Sequence, residues 1–177
     1  KKFPRPTMTL REPEQTAWLS GSMARELDMA PDALYFDYSE DTLSPAFNVT
    51  AAQSKEISAL LTLIQTLKVQ VTAITPDASA LQRFIPFLPE HQQCLVWRDD
   101  AQWLWATRSV WGRKSTGDIG SIDELATTLS LPTTAIAQCS PGGFDPLSAV
   151  SVRQPPIPTQ SHHFAIALGL AMGGAYR

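Results

Sequence analysis

The side chains of this 177-residue chain that sit at spacings able to do chemistry are few, and they belong to different classes. Asp118-Ile119-Gly120 sets a carboxylate two residues before a glycine, a spacing that can hold metal-bound water while backbone amides approach a phosphate. It follows Lys114-Ser115-Thr116-Gly117 in a stretch leading into a helix, and is therefore read as loop rather than as a phosphate site. Gly142-Gly143 could cradle an adenosine or a phosphate, but a Gly-Gly pair equally supplies the backbone freedom of a turn, which is the preferred reading. His162 and His163 neighbour no cysteine and no spaced carboxylate, and adjacent side chains rarely point the same way, so they read as a solvated pair at a helix entrance. Asp99-Asp100 fall in a tight turn, a poor setting for a tuned acid–base pair. With no Ser-His-Asp or Cys-His arrangement either, no catalytic residue and no metal ligand is assigned.

Two other residue sets are read as structural. Cys94 and Cys139 each lie in an apolar, strand-like stretch, which favours buried free thiols over a metal cluster or a disulfide. Trp97, Trp103, Trp105 and Trp111 could stack on nucleic-acid bases, but no basic residues interleave with them, so they are expected to form one packed sheet face. Composition agrees: 44% hydrophobic and 18% charged residues, with 14 Lys+Arg against 17 Asp+Glu, give a net charge of -3 and no basic run for a nucleic-acid backbone. Lys1 and Lys2 lead into Phe3-Pro4-Arg5-Pro6 rather than an apolar export segment, so a cytoplasmic location is expected. The most apolar stretch, Phe164 to Ala171, is well short of the ~20 residues that span a bilayer. Asn48-Val49-Thr50 matches a glycosylation acceptor but falls in an expected strand and carries no functional weight.

The elements that would position these residues can be placed from periodicity. After an extended opening, Phe3 to Leu10, the spacing of Leu19, Met23 and Leu27 predicts an amphipathic helix over Pro13 to Asp28, with Pro13 in its first turn. Leu34 to Tyr38, a turn over Ser39 to Pro45, and alternating Phe47, Val49 and Ala51 predict a hairpin. Ser54 is expected to cap a second helix burying Ile57, Leu60, Leu61, Ile64 and Leu67 on one face. Val69, Val71 and Ala73 predict a strand, and Asp77 caps a helix carrying Leu81, Phe84 and Ile85. A hairpin over Cys94 to Trp97 and Trp103 to Trp111 turns at Arg98-Asp99-Asp100. Ser121 and Glu124 form a capping box for a helix bearing Ile122, Leu125, Ala126 and Leu129, followed by a strand from Ala135 to Cys139. Ser140 to Gly143 is a turn, Arg153 to Pro158 is extended, and the small residues of Phe164 to Ala175 allow close helix packing. This order predicts an α/β (α+β) fold in two layers.

Two segments resemble the actin-like assembly proteins related to PilM and FtsA. One runs from Phe47-Asn48-Val49-Thr50-Ala51-Ala52 through the Ser54 to Leu67 helix to Thr75-Pro76-Asp77-Ala78-Ser79-Ala80-Leu81, similar to that family's strand, helix, strand and "E-P-x-A-S-A-L" helix. The other, Phe164-Ala165-Ile166-Ala167-Leu168-Gly169-Leu170-Ala171, is similar to the "A-x-G-L-A" ending of PilM-type chains. Shorter matches at Phe3 to Met8, Glu26 to Asp28 and Phe36 to Ser39 extend the resemblance over nearly the whole sequence.

The resemblance implies a fragment of an actin-like fold: an inserted α/β subdomain over residues 1–75, then a remnant of the second actin-like domain with a C-terminal helix over residues 76–177. The subdomain holding the first phosphate loop is expected to lie outside this chain. Where the second loop would stand, Arg98-Asp99-Asp100-Ala101 contains no glycine, although Arg108 with Gly112 is similar to the "R-x-x-x-G" that comes after it. Pro141-Gly142-Gly143-Phe144 is similar to the adenosine-side glycines, which makes Gly142 and Gly143 the only cofactor-side candidates. The implied function is a non-enzymatic scaffold of a type IV pilus-like, DNA-uptake apparatus. It would bind the cytoplasmic tail of an inner-membrane PilN-like partner through the inserted subdomain, without cofactor or direct nucleic-acid contact. The alternative is a degenerate actin-like ATP-binding protein or ATPase, using ATP only with the missing N-terminal part.

Overall fold

In the computed structural model, which describes residues 1–41 and 44–173, the chain divides into two units, Lys1–Val71 and Thr72–Arg177. The first unit is built on a three-stranded antiparallel sheet in the order β1-β3-β2, with β1 Lys2–Pro4, β2 Leu34–Glu40 and β3 Ala46–Gln53. Strict alternation decides its inner face: Leu34, Phe36 and Tyr38 of β2 and Phe47, Val49 and Ala51 of β3 all point to the helix α1, Glu12–Glu26. That helix returns Trp18, Leu19, Met23 and Ala24 to the same core. Its first turn contains Pro13, and the Glu14 carboxylate accepts the Arg11 backbone N–H at 2.9 Å. Phe3 meets Trp18 edge-on at 6.5 Å and Tyr38 meets Phe47 at 5.8 Å, so aromatic rings close the core from both edge strands. Part of the expected Ser39 to Pro45 turn lies outside the described residues.

The helix α2, Ser54–Leu67, forms where its periodicity places it, but two expectations about it are corrected. Its N-cap is Gln53, while the Ser54 hydroxyl donates instead to the Asp32 carbonyl at 3.2 Å. None of its residues is buried: Leu60, Leu61, Leu63 and Leu67 are exposed, and Ile57 and Ile64 are only half-covered. A left-handed Lys68 ends it. The strand expected at Val69, Val71 and Ala73 does not form, since among the described residues no neighbouring strand is offered to its backbone.

The second unit is organised by a four-stranded sheet in the order β6-β5-β4-β7: β4 Cys94–Arg98, β5 Gln102–Thr107, β6 Trp111–Ser115 and β7 Ile136–Cys139. The expected hairpin is thus a three-strand meander, because Thr107 to Val110 forms a second turn and Trp111 starts a strand of its own. β7 pairs parallel to β4 after a crossover through α4, Ile122–Leu129. α4 covers one sheet face, with Leu125 and Ala126 packed on Cys94, Val96, Trp103 and Ile136. The opposite face, lined by Leu95, Leu104, Ala106, Ala137 and Cys139, is covered by three pieces. They are the short α3 Asp77–Ala80, the 3-10 segment Leu81–Phe87 that continues it, and α5 Ala165–Met172. Pro86 keeps the 77–87 stretch from becoming the regular helix expected there. Its N-cap is Pro76 rather than Asp77, whose carboxylate accepts from the Ala78 N–H and the Arg113 guanidinium. The four tryptophans split between the two faces, correcting the single packed face: Trp103 and Trp105 lie with α4, Trp97 and Trp111 opposite.

α5 comes close enough to α3 that a methyl on Gly169 would sit 2.4 Å from the Ala80 carbonyl oxygen, the close approach its small residues predicted; the end of that segment, 174–175, lies outside the described residues. Gly169→Ala is expected to destabilise by about 1–3 kcal/mol through overpacking. Gly21→Ala, inside α1 with nothing within 4 Å of the added methyl, should stabilise by about 0.5–1 kcal/mol. Urea melts monitored by circular dichroism check both signs; equal effects would contradict the α3–α5 packing.

Candidate functional site

Three turns of the second unit carry the residues that sequence reasoning set beside phosphate chemistry, and in each the chain's own groups engage the backbone. At the β4–β5 turn, Asp99 Oδ1 accepts the N–H groups of Ala101 and Gln102 at 2.8 and 2.7 Å. The turn is also tied to the end of β6, where the Thr116 hydroxyl donates to the Asp100 carbonyl at 2.8 Å and Thr116 N–H to the Ala101 carbonyl at 3.0 Å. Arg98 spreads its guanidinium over the Trp103 ring at 4.8 Å instead of pointing into the turn.

Asp118-Ile119-Gly120 closes the β6–α4 connection. Ile119 is buried and its carbonyl accepts the Trp103 indole N–H at 2.8 Å, so this tripeptide is a core plug. Ser121 caps α4 by accepting the Glu124 N–H at 3.2 Å, as its spacing predicts. The Glu124 carboxylate departs from the capping box by accepting the Gly120 N–H at 2.7 Å rather than that of Ser121.

Gly142 and Gly143, the cofactor-side candidates, form the turn after β7. Gly142 has φ +78°, a left-handed conformation that glycine adopts freely, with nothing within 4 Å of a methyl there. At Gly143 a methyl would lie 2.2 Å from the Gln138 carbonyl oxygen, which also accepts the Phe144 N–H at 2.8 Å. Phe144 then packs on Phe84 at 5.7 Å. Both glycines have a conformational reason to be there. Arg108 and Gly112 serve different places: Gly112 lies under the Trp105 indole, whereas Arg108 and Arg83 line a cavity of about 610 Å3 together with Ser79, Gln82 and Leu170.

The His162 and His163 rings lie 4.2 Å apart, so they do point the same way, and His163 shares a hydrogen bond with Gln160 Oε1 at 2.9 Å. The His162 carbonyl accepts the Trp97 indole N–H at 2.9 Å, anchoring the entrance to α5. Among the described residues no group of three or more His, Cys, Asp or Glu side chains could hold a metal. Cys94 and Cys139 are free and lie on opposite faces of the sheet, which rules out a bond between them. Burial pushes both thiols up to about 12. No described helix is long and apolar enough to cross a membrane.

No family model matches the chain. It is 68% identical over 176 residues to the "DNA utilization protein HofM" of Escherichia coli (strain K12), a match covering 99% of this chain and 68% of that protein. Its fold is similar to Cyto-EpsL, the cytoplasmic domain of EpsL, an inner membrane component of the type II secretion system of Vibrio cholerae. That superposition has a TM-score of 0.62 at 12% identity and covers 98% of this chain and 70% of the other. The described residues form a mixed α/β fold with two sheets and five α-helices, the expected class.

Both thiols should resist a neutral-pH disulfide reagent in the native protein and react fully once it is denatured; a fast-reacting native thiol would contradict their burial. Because the fold holds both protons more tightly than the unfolded chain, their contribution to stability is complete below the ordinary thiol value of 9.0 and is lost as pH rises toward about 12. Gly142→Ala should cost about 1–2 kcal/mol for its left-handed backbone. Gly143→Ala should lower the melting temperature further, since backbone stands in its way, and the reverse order would place the turn differently.

Proposed function

Because the chain belongs to the family of the DNA utilization protein HofM, we propose that it is a non-enzymatic, cytoplasmic scaffold of a type IV pilus-like assembly apparatus that takes up DNA for use as a nutrient. Its partner in this reading is the N-terminal tail of an inner-membrane PilN-like (HofN-like) protein, which would hold it at the membrane. The PilM-like resemblance of the sequence supports the apparatus, as does the fold shared with a cytoplasmic domain of an inner-membrane secretion component. Direct nucleic-acid binding has no part in the reading, given a net charge of -3.

One observation carries the non-enzymatic part. Where a phosphate loop would present glycine amides to an anion, this turn has no glycine, and the Asp99 carboxylate already accepts the amides of Ala101 and Gln102 and brings negative charge of its own. The Glu124 carboxylate does the same at Gly120. A phosphate arriving at either turn would have to displace an intramolecular carboxylate. For the tail, the outer edge of β2 ends the β1-β3-β2 sheet and offers seven residues for strand addition, whereas β1 offers three, ending in Pro4.

Isothermal titration of the family-length protein, with Mg-ATP and separately with a synthetic tail of the inner-membrane partner, tests the reading. Tail binding without ATP binding is the expected result. ATP binding with no response to the tail overturns it in favour of a nucleotide-dependent protein.

A further inference from the structure

Exposed large apolar side chains gather on one stretch of the first unit: Leu60, Leu61, Leu63 and Leu67 of α2, then Val69 and Val71 beyond it. No charged residue occurs from Ile57 to Leu67, although a helix meeting water on all sides carries polar and charged groups around it. α2 meets β2, β3 and the 31–33 turn of its own unit, yet none of its residues is buried and only Ile57 and Ile64 of its large apolar side chains are half-covered. Lys68 then reverses the chain in a left-handed conformation, and the Val69 N–H returns to the Ile64 carbonyl at 3.4 Å. The segment beyond Lys68 alternates like a strand but has no strand beside it among the described residues. A bare helix face leading to an unpaired β-patterned segment is half of an α/β layer, lacking the sheet that both halves fit.

The HofM match spans 68% of that protein, leaving roughly a third of the family's length outside it. We propose that this remaining third supplies the missing sheet: the segment from Val69 joins it as a strand, and Leu60, Leu61, Ile64 and Leu67 of α2 pack against its face. The uncharged run from Ile57 to Leu67 favours a permanent interior over a transient partner surface, because interfaces that open and close keep a polar rim. The proposal is independent of the scaffold reading, since it concerns how the family's polypeptide completes its own core.

The test compares the 177-residue chain with the same protein made at the family's full length. Hydrogen exchange of the amides of residues 57–71 should slow by at least about tenfold in the longer chain. Leu60→Lys with Leu67→Lys should lower the melting temperature of the longer chain by several degrees and leave the shorter chain within about a degree. Should the substituted longer chain fail to fold, exchange in the unsubstituted pair still decides. Equal exchange in both chains overturns the proposal, as does protection that disappears on dilution, which would assign the face to a second copy. Protection that appears only when the partner's tail is added overturns it too, and would place that tail on α2 without touching the question of ATP.

Discussion

β4 is the constraint on which the second unit depends, because Cys94, Leu95 and Val96 are successive residues with no exposure at all. Successive strand residues face opposite ways, so such a run demands cover on both faces and a neighbour on both edges. The chain meets all four demands: α4 on one face, the 77–87 segment with α5 on the other, β5 along one edge and β7 along the other. The close fit of Gly169 to Ala80 results from the second of these, for α5 and α3 must share a single sheet face. The first unit shows the outcome where cover is one-sided. Its sheet packs α1 on one face only, and its strands alternate accordingly.

The loops add a second physical theme. Backbone amides gathered at a turn are strong donors in need of an acceptor, and a carboxylate and a phosphate are alternative answers to the same need. Asp99 answers it at Ala101 and Gln102, Glu124 at Gly120, and Asp145 at Leu147. Of the glycine-bearing turns, the Gly120 amide is taken by a carboxylate four residues on, whereas the Gly143 amide goes to the Ser140 carbonyl.

Much of this architecture was legible. Periodicity located α1, the β2–β3 hairpin, α2, α4 and the strands around Cys94 and Cys139, because each has an apolar pattern of the right period and a turn or cap beside it. The misses have identifiable reasons. Alternation at Val69 and Val71 states a preference for a sheet, but a preference makes no strand without a partner. The period of α2 gives the direction of its apolar face and says nothing of what meets it. The tryptophans obscured the Thr107 to Val110 turn, since aromatic strand formers stand on both sides of it; all four have odd numbers, so alternation alone puts them on one face, and only the two turns bring Trp97 and Trp111 to the other. The amide-accepting role of Asp99 was missed, although an aspartate opening a tight turn is a recognisable signal, and the capping box read at Ser121 and Glu124 placed the carboxylate one residue away from the Gly120 amide it accepts.

The parallel pairing of β7 with β4 also has a consequence for how the protein is made. β4, β5 and β6 succeed one another along the chain and can pair as soon as residue 115 has been synthesised, but the other edge of β4 has no partner until residue 136 exists. During that interval the nascent protein displays an open edge on its most apolar strand, an arrangement that invites pairing with other chains. The brevity of β4, five residues ending in the charged Arg98, limits how long a stretch of edge is on offer before α4 and β7 emerge to close it.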